Sequence, residues 1–402
     1  MQPTTGRTPS TTGRTPWTSR GTSVPPIADA VDIAPAIGMP GAPPTSAEGL
    51  RQRIAEMELR LRDRPDDPGA AILLADALLR QARATNDGRA AHAAGEALGA
   101  VLKENPGQYD ALRLLAAVHL SRHQFTDARD LARRARDQRP DDAWNYGVIG
   151  DALLELGEYD DAFDAFKTMV SLRPGADAYA RVSYARELQG DLTGALKIMQ
   201  MAADATTSHD LEAKAWYTAH IGELYLQLGK LSEAEREYRR AAFLFPDYPH
   251  AMVGIGKVRA ARADHEGALQ IFLAQLNRAP SLDLAARIGD IHSARGNSCE
   301  AERYYQLAED LAGPPAAQTE AALALFLADR DRKLGDSMRI AQTVARTRHD
   351  IFTEDALAWT LYKNGRLDEA FAVSQRALRT GTQDQKIRQH AAAIRRRLTS
   401  SW

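Results

Sequence analysis

The sequence predicts an all-α fold, a stacked array of repeated helix pairs, on three observations. Prolines stand at Pro106, Pro140 and Pro174 at a constant interval, and the same beat resumes at Pro246, Pro280 and Pro314. Small residues keep that period to within a residue at Ala128, Ala162, Ala195, Ala234, Ala268, Ala301 and, two periods on, Ala370. A third series runs Ala116, Gly150, Ser183, Gly222, Gly256, Gly289 and Ala358. Three series locked to one period, of about 34 residues, mark a solenoid of supersecondary units. They override the two or three globular domains that 402 residues would otherwise suggest. The one break lies between Pro174 and Pro246, which are two periods and a short excess apart, and the polar stretch Thr206 to Asp210 accommodates that excess.

The elements follow in chain order. Residues 1–45 hold nine of the 19 prolines, mixed with Thr, Gly and Ser, and Thr-Gly-Arg-Thr-Pro occurs there twice. Such a stretch cannot bury enough apolar surface to offset its chain entropy, so it reads as a disordered tail. Its Thr-Pro pairs read as solvated sequence before they read as phosphorylation sites. Residues 46–66 read as a capping helix: Ser46 is an N-cap, and Leu50, Ile54, Met57 and Leu61 fall at helical spacing before Pro65. Residues 67–384 form the array of eight or nine repeats.

Its clearest unit runs from Asp142 to Pro174. Tyr146, Ile149, Leu153 and Leu156 give a first helix, and Gly157 supplies the left-handed backbone that closes it. Asp160 opens a second helix carrying Ala162, Phe163, Phe166 and Val170, and Pro174 ends it. Gly190, Gly229, Gly296 and Gly365 repeat the closing role. Two units depart from the pattern: the first has an insertion around Thr85 to Ala94, and the eighth lacks the alanine and has a shortened turn at Gly335-Asp336. Residues 385–402 read as a basic C-terminal capping helix and tail, with Ile387, Ala391, Ile394 and Leu398 as its apolar stripe.

These residues resemble the tetratricopeptide repeat family, whose pattern places Trp, Leu-Gly, Tyr, Ala, Phe and Pro through each repeat. Tyr146-Ile149-Gly150-Leu153-Ala162-Phe166-Pro174 follows that order, as does Ile221-Gly222-Tyr225-Ala234-Tyr238-Ala241-Pro246. The run from Asp355 to Ala370 is similar to the last repeat of long bacterial members. The resemblance implies a right-handed α-solenoid of helix-turn-helix repeats with a concave groove lined by the first helices. It implies a binding scaffold and says little about the ligand.

Other classes are poorly supported. The formal net charge of -2 gives no global field toward nucleic acid or a membrane surface. No apolar run approaches the length of a membrane span, and the N-terminus carries no secretory pattern, so a cytoplasmic protein is expected, or a secreted or periplasmic one if the start is mis-assigned. The lone Cys299 builds no disulfide framework and has no evident base beside it. Gly229-Lys230 lacks the rest of a nucleotide loop, and Gly254-Ile255-Gly256 sits inside a helix with Gly256 in the small series, so both read as packing. His119 and His123 share a helix face but lack a third metal ligand. No catalytic constellation, cofactor or metal is expected, and the chain reads as non-enzymatic.

A partner is expected in the groove, at first-helix residues that packing leaves free: Arg113, Asp151, Arg181, Tyr184, Glu187, Glu223, Lys257, Arg287 and Asp290. Trp144, Trp216, Trp359 and Tyr362 add aromatic anchors, a residue type enriched at interface hot spots. The leading expectation is a scaffold that holds a protein, as an extended peptide or a helix. The alternatives are an effector-responsive sensor controlling a signalling or transcriptional partner, and a non-catalytic subunit of an enzyme complex.

Overall fold

Gly157, Gly190, Gly229, Gly296 and Gly365 all take φ between +73° and +82°, and each ends one helix so that the next can fold back beside it. The computed structural model describes residues 47–85, 88–207, 210–312 and 317–400. The reading of residues 1–45 as a tail, Ser46 as a cap and Pro314 as a helix stop lies outside them. The described residues all fall in one compact unit, Pro40–Trp402.

Twenty helices and no strand occupy the described residues. α1 (Ala47–Asp63) leads into nine pairs. The first three are α2 (Pro68–Thr85) with α3 (Gly88–Glu104), α4 (Tyr109–Ser121) with α5 (Phe125–Gln138), and α6 (Ala143–Glu155) with α7 (Tyr159–Leu172). Next come α8 (Ala176–Leu188) with α9 (Leu192–Ala205), α10 (Leu211–Gln227) with α11 (Leu231–Leu244), and α12 (Pro249–Ala261) with α13 (His265–Arg278). The last three are α14 (Leu282–Ala294) with α15 (Ser298–Leu311), α16 (Ala317–Asp329) with α17 (Leu334–Val344), and α18 (Ile351–Lys363) with α19 (Leu367–Ala377). α20 (Gln385–Thr399) follows. Successive helices pack on one another through nearly all of the array, and the first helices of most adjacent pairs touch, which is the layering of an α-solenoid.

The small series explains the close approach within a pair. A methyl added at Gly150 would collide with the ring of Phe166, one at Gly256 with Phe272, and one at Gly289 with Tyr305. At Gly222 it would lie 2.9 Å from Tyr238. In every case the aromatic stands at the same offset along the chain, in the second helix of the pair. Gly254, the first glycine of the apparent dinucleotide fingerprint, faces the ring of Tyr238 from the next pair, so both glycines there serve packing. In α8 the small residue is Ser183, whose hydroxyl donates to the Ala195 carbonyl at 2.7 Å and so stays satisfied while fully buried.

Both departures from the pattern have a structural form. The helices of the first pair are longer, 18 and 17 residues against 13 and 14 in the next pair. In the eighth pair, Gly335 and Asp336 lie in the first turn of α17, and the connection is the residues 330–333, with Asp331 and Lys333 at positive φ. Ser337 takes the alanine position: it is fully buried and donates to the Ala324 carbonyl at 2.6 Å. A polar residue in that slot hides the repeat from a search for alanine.

The array is also closed in a way no repeat period announces. Ile351, Ala377 and Ile387 from the C-terminal helices share one buried cluster with Tyr159, Phe163 and Leu188 from α7 and α8. The Ile351 N–H donates to the Tyr159 hydroxyl at 2.8 Å, and the His349 N–H donates to the Glu155 carbonyl at 3.1 Å. Arg348 meets the Glu155 carboxylate at 2.6 Å, and Arg379 lies 4.9 Å over the Tyr159 ring. The connections after α17 and after α19 therefore sit on the turns inside the third and fourth pairs.

Candidate functional site

Three consecutive first helices, α10, α12 and α14, present one face to a common cavity of about 410 Å³. Helical spacing within each and the repeat period between them build that face in columns. Trp216, His250 and Leu284 form one column, Ala219 and Val253 begin a second, and Glu223 and Lys257 a third. Gln275 and Ala279 from α13 and its end, and Ser281 and Asp283 at the start of α14, close the far side. The Trp216 and His220 rings stack at 5.5 Å, so the entrance at α10 is a flat aromatic wall.

The charged residues on this face are paired across repeats. Lys257 reaches Glu223 at 3.0 Å, and the Tyr238 hydroxyl donates to the same carboxylate at 2.7 Å. Burial works to raise the Glu223 carboxyl, but the Lys257 ammonium and the Tyr238 hydroxyl outweigh it and hold the group below its ordinary value. Burial, followed by Lys257 and His220, pushes the His250 imidazole below its ordinary value, so the ring lines the cavity as a neutral donor-acceptor. Arg287 holds Asp283 at 2.7 Å on its own helix.

The same pairing runs along the rest of the inner helices. Arg181 grips Asp151 with both Nε and Nη2, at 3.0 and 2.7 Å, and Glu187 takes His220 at 2.9 Å. Asp290 takes Arg330 at 2.6 Å. Burial opposes the charge on Arg181, but Asp151 and Asp177 more than compensate. Asp151, Arg181, Glu187, Glu223, Lys257 and Asp290, expected as free ligand groups, thus form rungs between neighbouring repeats. Sequence spacing places them on one face of the first helices but could not show that each meets a partner from a neighbouring repeat.

Three expected residues stand elsewhere. Arg113 is 5 % exposed, with its guanidinium 4.6 Å over Trp144 and 3.7 Å from Asp142, so it is a buried inter-repeat contact and no groove ligand. Tyr184 belongs to the closure cluster around Tyr159 and Ile387. Trp359 lies stacked between Tyr362 and His390, at 4.9 and 4.0 Å, beneath α20. The residues that sequence reasoning missed include His220, His250, Val253 and Leu284; a column drawn one period apart through Trp216 would have found His250 and Leu284, and one through Ala219 would have found Val253.

The remaining chemical candidates have structural settings. His119 Nδ1 pairs with Gln124 Oε1 at 2.8 Å, and His123 occupies a helix-closing turn at φ +58°. Cys299 is exposed at the start of α15. Among the described residues no group of three or more metal-ligating side chains converges, and no helix is long and apolar enough to cross a membrane.

A fold of stacked helix pairs whose first helices line a shared surface defines a helical-repeat solenoid. Tetratricopeptide repeat models match residues 88–147, 148–210 and 221–282. No curated protein matches the chain. Among solved structures, the human IFIT1 dimer with PPP-AAAA is similar at 15 % identity and a TM-score of 0.55, covering 82 % of this chain and 78 % of that one. The APC/C hetero-tetramer Cut9-Hcn1 is similar at 14 % identity and a TM-score of 0.50, covering 86 % of this chain. This chain spans only 59 % of the Cut9-Hcn1 chain it matches, and likeness at such identity speaks to fold alone. Tetratricopeptide repeats thus run through residues 88–210 and 221–282, and they support a protein-interaction scaffold.

Proposed function

We propose that the protein is a non-enzymatic scaffold that holds a peptide or helix of a partner protein against α10, α12 and α14, with a large apolar side chain of the partner seated in the cavity. The carrying observation is the cavity itself: about 410 Å³, walled by Trp216, Ala219, His250, Val253 and Leu284, and rimmed by charges that already have partners. An apolar anchor fits such walls, and a rigid preformed face loses little entropy on binding. The human IFIT1 dimer is a structure with PPP-AAAA. A polyphosphate is a poorer match here, because Lys257, which lines the cavity, is engaged by Glu223, and Arg287 on α14 is engaged by Asp283.

The test is affinity capture from native lysate with the full chain and with Val253→Trp, which fills the cavity from α12. Circular dichroism first establishes that both fold equally. A partner retained by the parent and lost by the variant supports the cavity as anchor site. Equal recovery by both sinks it and moves the search to the basic face of α20.

A further inference from the structure

The contact between the C-terminal connections and the turns of the third and fourth pairs joins segments 192 residues apart, as in Tyr159 and Ile351. One charge cluster lies in the contact, and a second, within the C-terminal helices, holds α20 in place. At the first, Arg348 bridges Glu155 of α6 and Asp350, at 2.6 and 2.7 Å, and also lies 5.4 Å over the ring of Phe125. Around Glu155 stand Arg348 and Asp350 from the α17–α18 connection, Asp151 from its own helix, and the Tyr184 hydroxyl from α8. At the second, His390 of α20 is wedged between two carboxylates: Nδ1 meets Asp355 of α18 at 2.9 Å, and Nε2 faces Asp329 of α16 at 3.6 Å. Lys386 also reaches Asp329, at 2.7 Å, and Trp359 stacks on the imidazole. This wedge fixes α20, which delivers Ile387 to the cluster shared with Tyr159 and Leu188.

We propose that this contact is a proton-linked latch: the repeats are held closed at acidic pH and part as the pH rises, with Glu155 and His390 as the groups that couple closure to protons. The second cluster gives the reason. With Lys386 already on Asp329, a neutral imidazole leaves the second carboxylate of the cluster without a counter-charge, whereas the imidazolium supplies it. The first adds to it, because closure buries the Glu155 carboxylate against Asp350 as well as against Arg348. A solenoid is suited to such motion, since small rotations at each repeat interface sum to a large separation.

The sign follows from linkage. Burial raises Glu155 from 4.5 to about 7, despite Arg348, so its contribution to closure is complete below 4.5 and is lost as the pH rises through about 7. His390 is raised above its ordinary 6.5, because Asp329 and Asp355 outweigh its burial, so its contribution is complete below 6.5 and is lost as the pH rises through that raised value. Asp355 is raised by burial and acts in the same direction. Asp329 is held below its ordinary 3.8 despite burial, so its opposite effect falls below the working range. Tyr159 and Tyr184 are pushed up by burial from 10.0 and lie above that range.

The latch is tested on the full chain with Cys299→Ser and a fluorophore pair on cysteines placed at Lys197 of α9 and Asp368 of α19, both exposed. Energy transfer is followed from about pH 5 to about pH 9, with helicity monitored in parallel. The closing constant should fall by roughly a hundredfold across that range, with the transfer efficiency falling and helicity unchanged. Glu155→Gln, which cannot ionise, should flatten the change near neutral pH by about tenfold or more. His390→Gln, which leaves Asp355 without a counter-charge, should lower the transfer even at acidic pH. Transfer that is constant with pH overturns the latch. So does a pH change identical in the parent and both variants, or one that tracks loss of helicity.

Discussion

Gly256 faces the Phe272 ring so closely that even one methyl must displace it. Phe272 is itself fully buried, so the ring has nowhere to turn. Gly256→Ala should therefore cost about 1–3 kcal/mol, despite the better helix propensity of alanine, and urea unfolding followed by circular dichroism measures it. A gain in stability would mean that the pair can spread. The helix-closing turns make the opposite prediction. His123, Ala263 and Asp331 take φ of +58 to +60° and +52° at positions where five other pairs use glycine. Ala263 has no polar side chain to offset the left-handed backbone, so Ala263→Gly should add about 1 kcal/mol to stability, seen as a rise in the unfolding midpoint. These positions were legible because a glycine or another small residue recurs at one place in most periods. What the sequence left unspoken was the partner of each small residue, the aromatic at a fixed offset in the second helix.

Helix boundaries were legible wherever a turn is closed by glycine. Asp142 caps α6 through the Trp144 N–H, and α6 ends next to Leu156 just before Gly157, as the apolar spacing implied. The eighth pair failed that reading because its glycine is in the wrong place for a turn. Arg330 to Lys333 make the connection, and the strain of Lys333 at φ +40° is supported by its ion pair with Glu309. Gly335 is then an ordinary position in a helix, where a methyl would meet nothing within 4 Å. Gly335→Ala should raise stability by about 0.5–1 kcal/mol through helix propensity alone. A loss instead would return Gly335 to the turn and shift the register of α17. The inner face was half legible for a related reason. Periodicity assigns a residue to a face, but Asp151 with Arg181 and Glu223 with Lys257 are relations between neighbouring helices that depend on their crossing.

Closure of the array is a property of the whole molecule, and nothing local encodes it. It depends on how far each repeat rotates against the next, summed over the pairs between Tyr159 and Ile351. A solenoid in which each repeat touches only its neighbours responds to damage locally, and its stability is close to a sum of repeat and interface terms. Here Ile351 is fully buried in a cluster that also holds Tyr159, Phe163 and Leu188, so two distant stretches of the chain share a core. Ile351→Ala removes apolar contact from both sides at once and should cost about 2–5 kcal/mol. The diagnostic is where the cost is felt. Amide hydrogen exchange should quicken in α6 to α8 as well as in α18, while α12 and α13, which lie outside the contact, keep their protection. Exchange that quickens only in α16 to α20 would mean that the two stretches stand apart in solution and that the array obeys the nearest-neighbour rule after all.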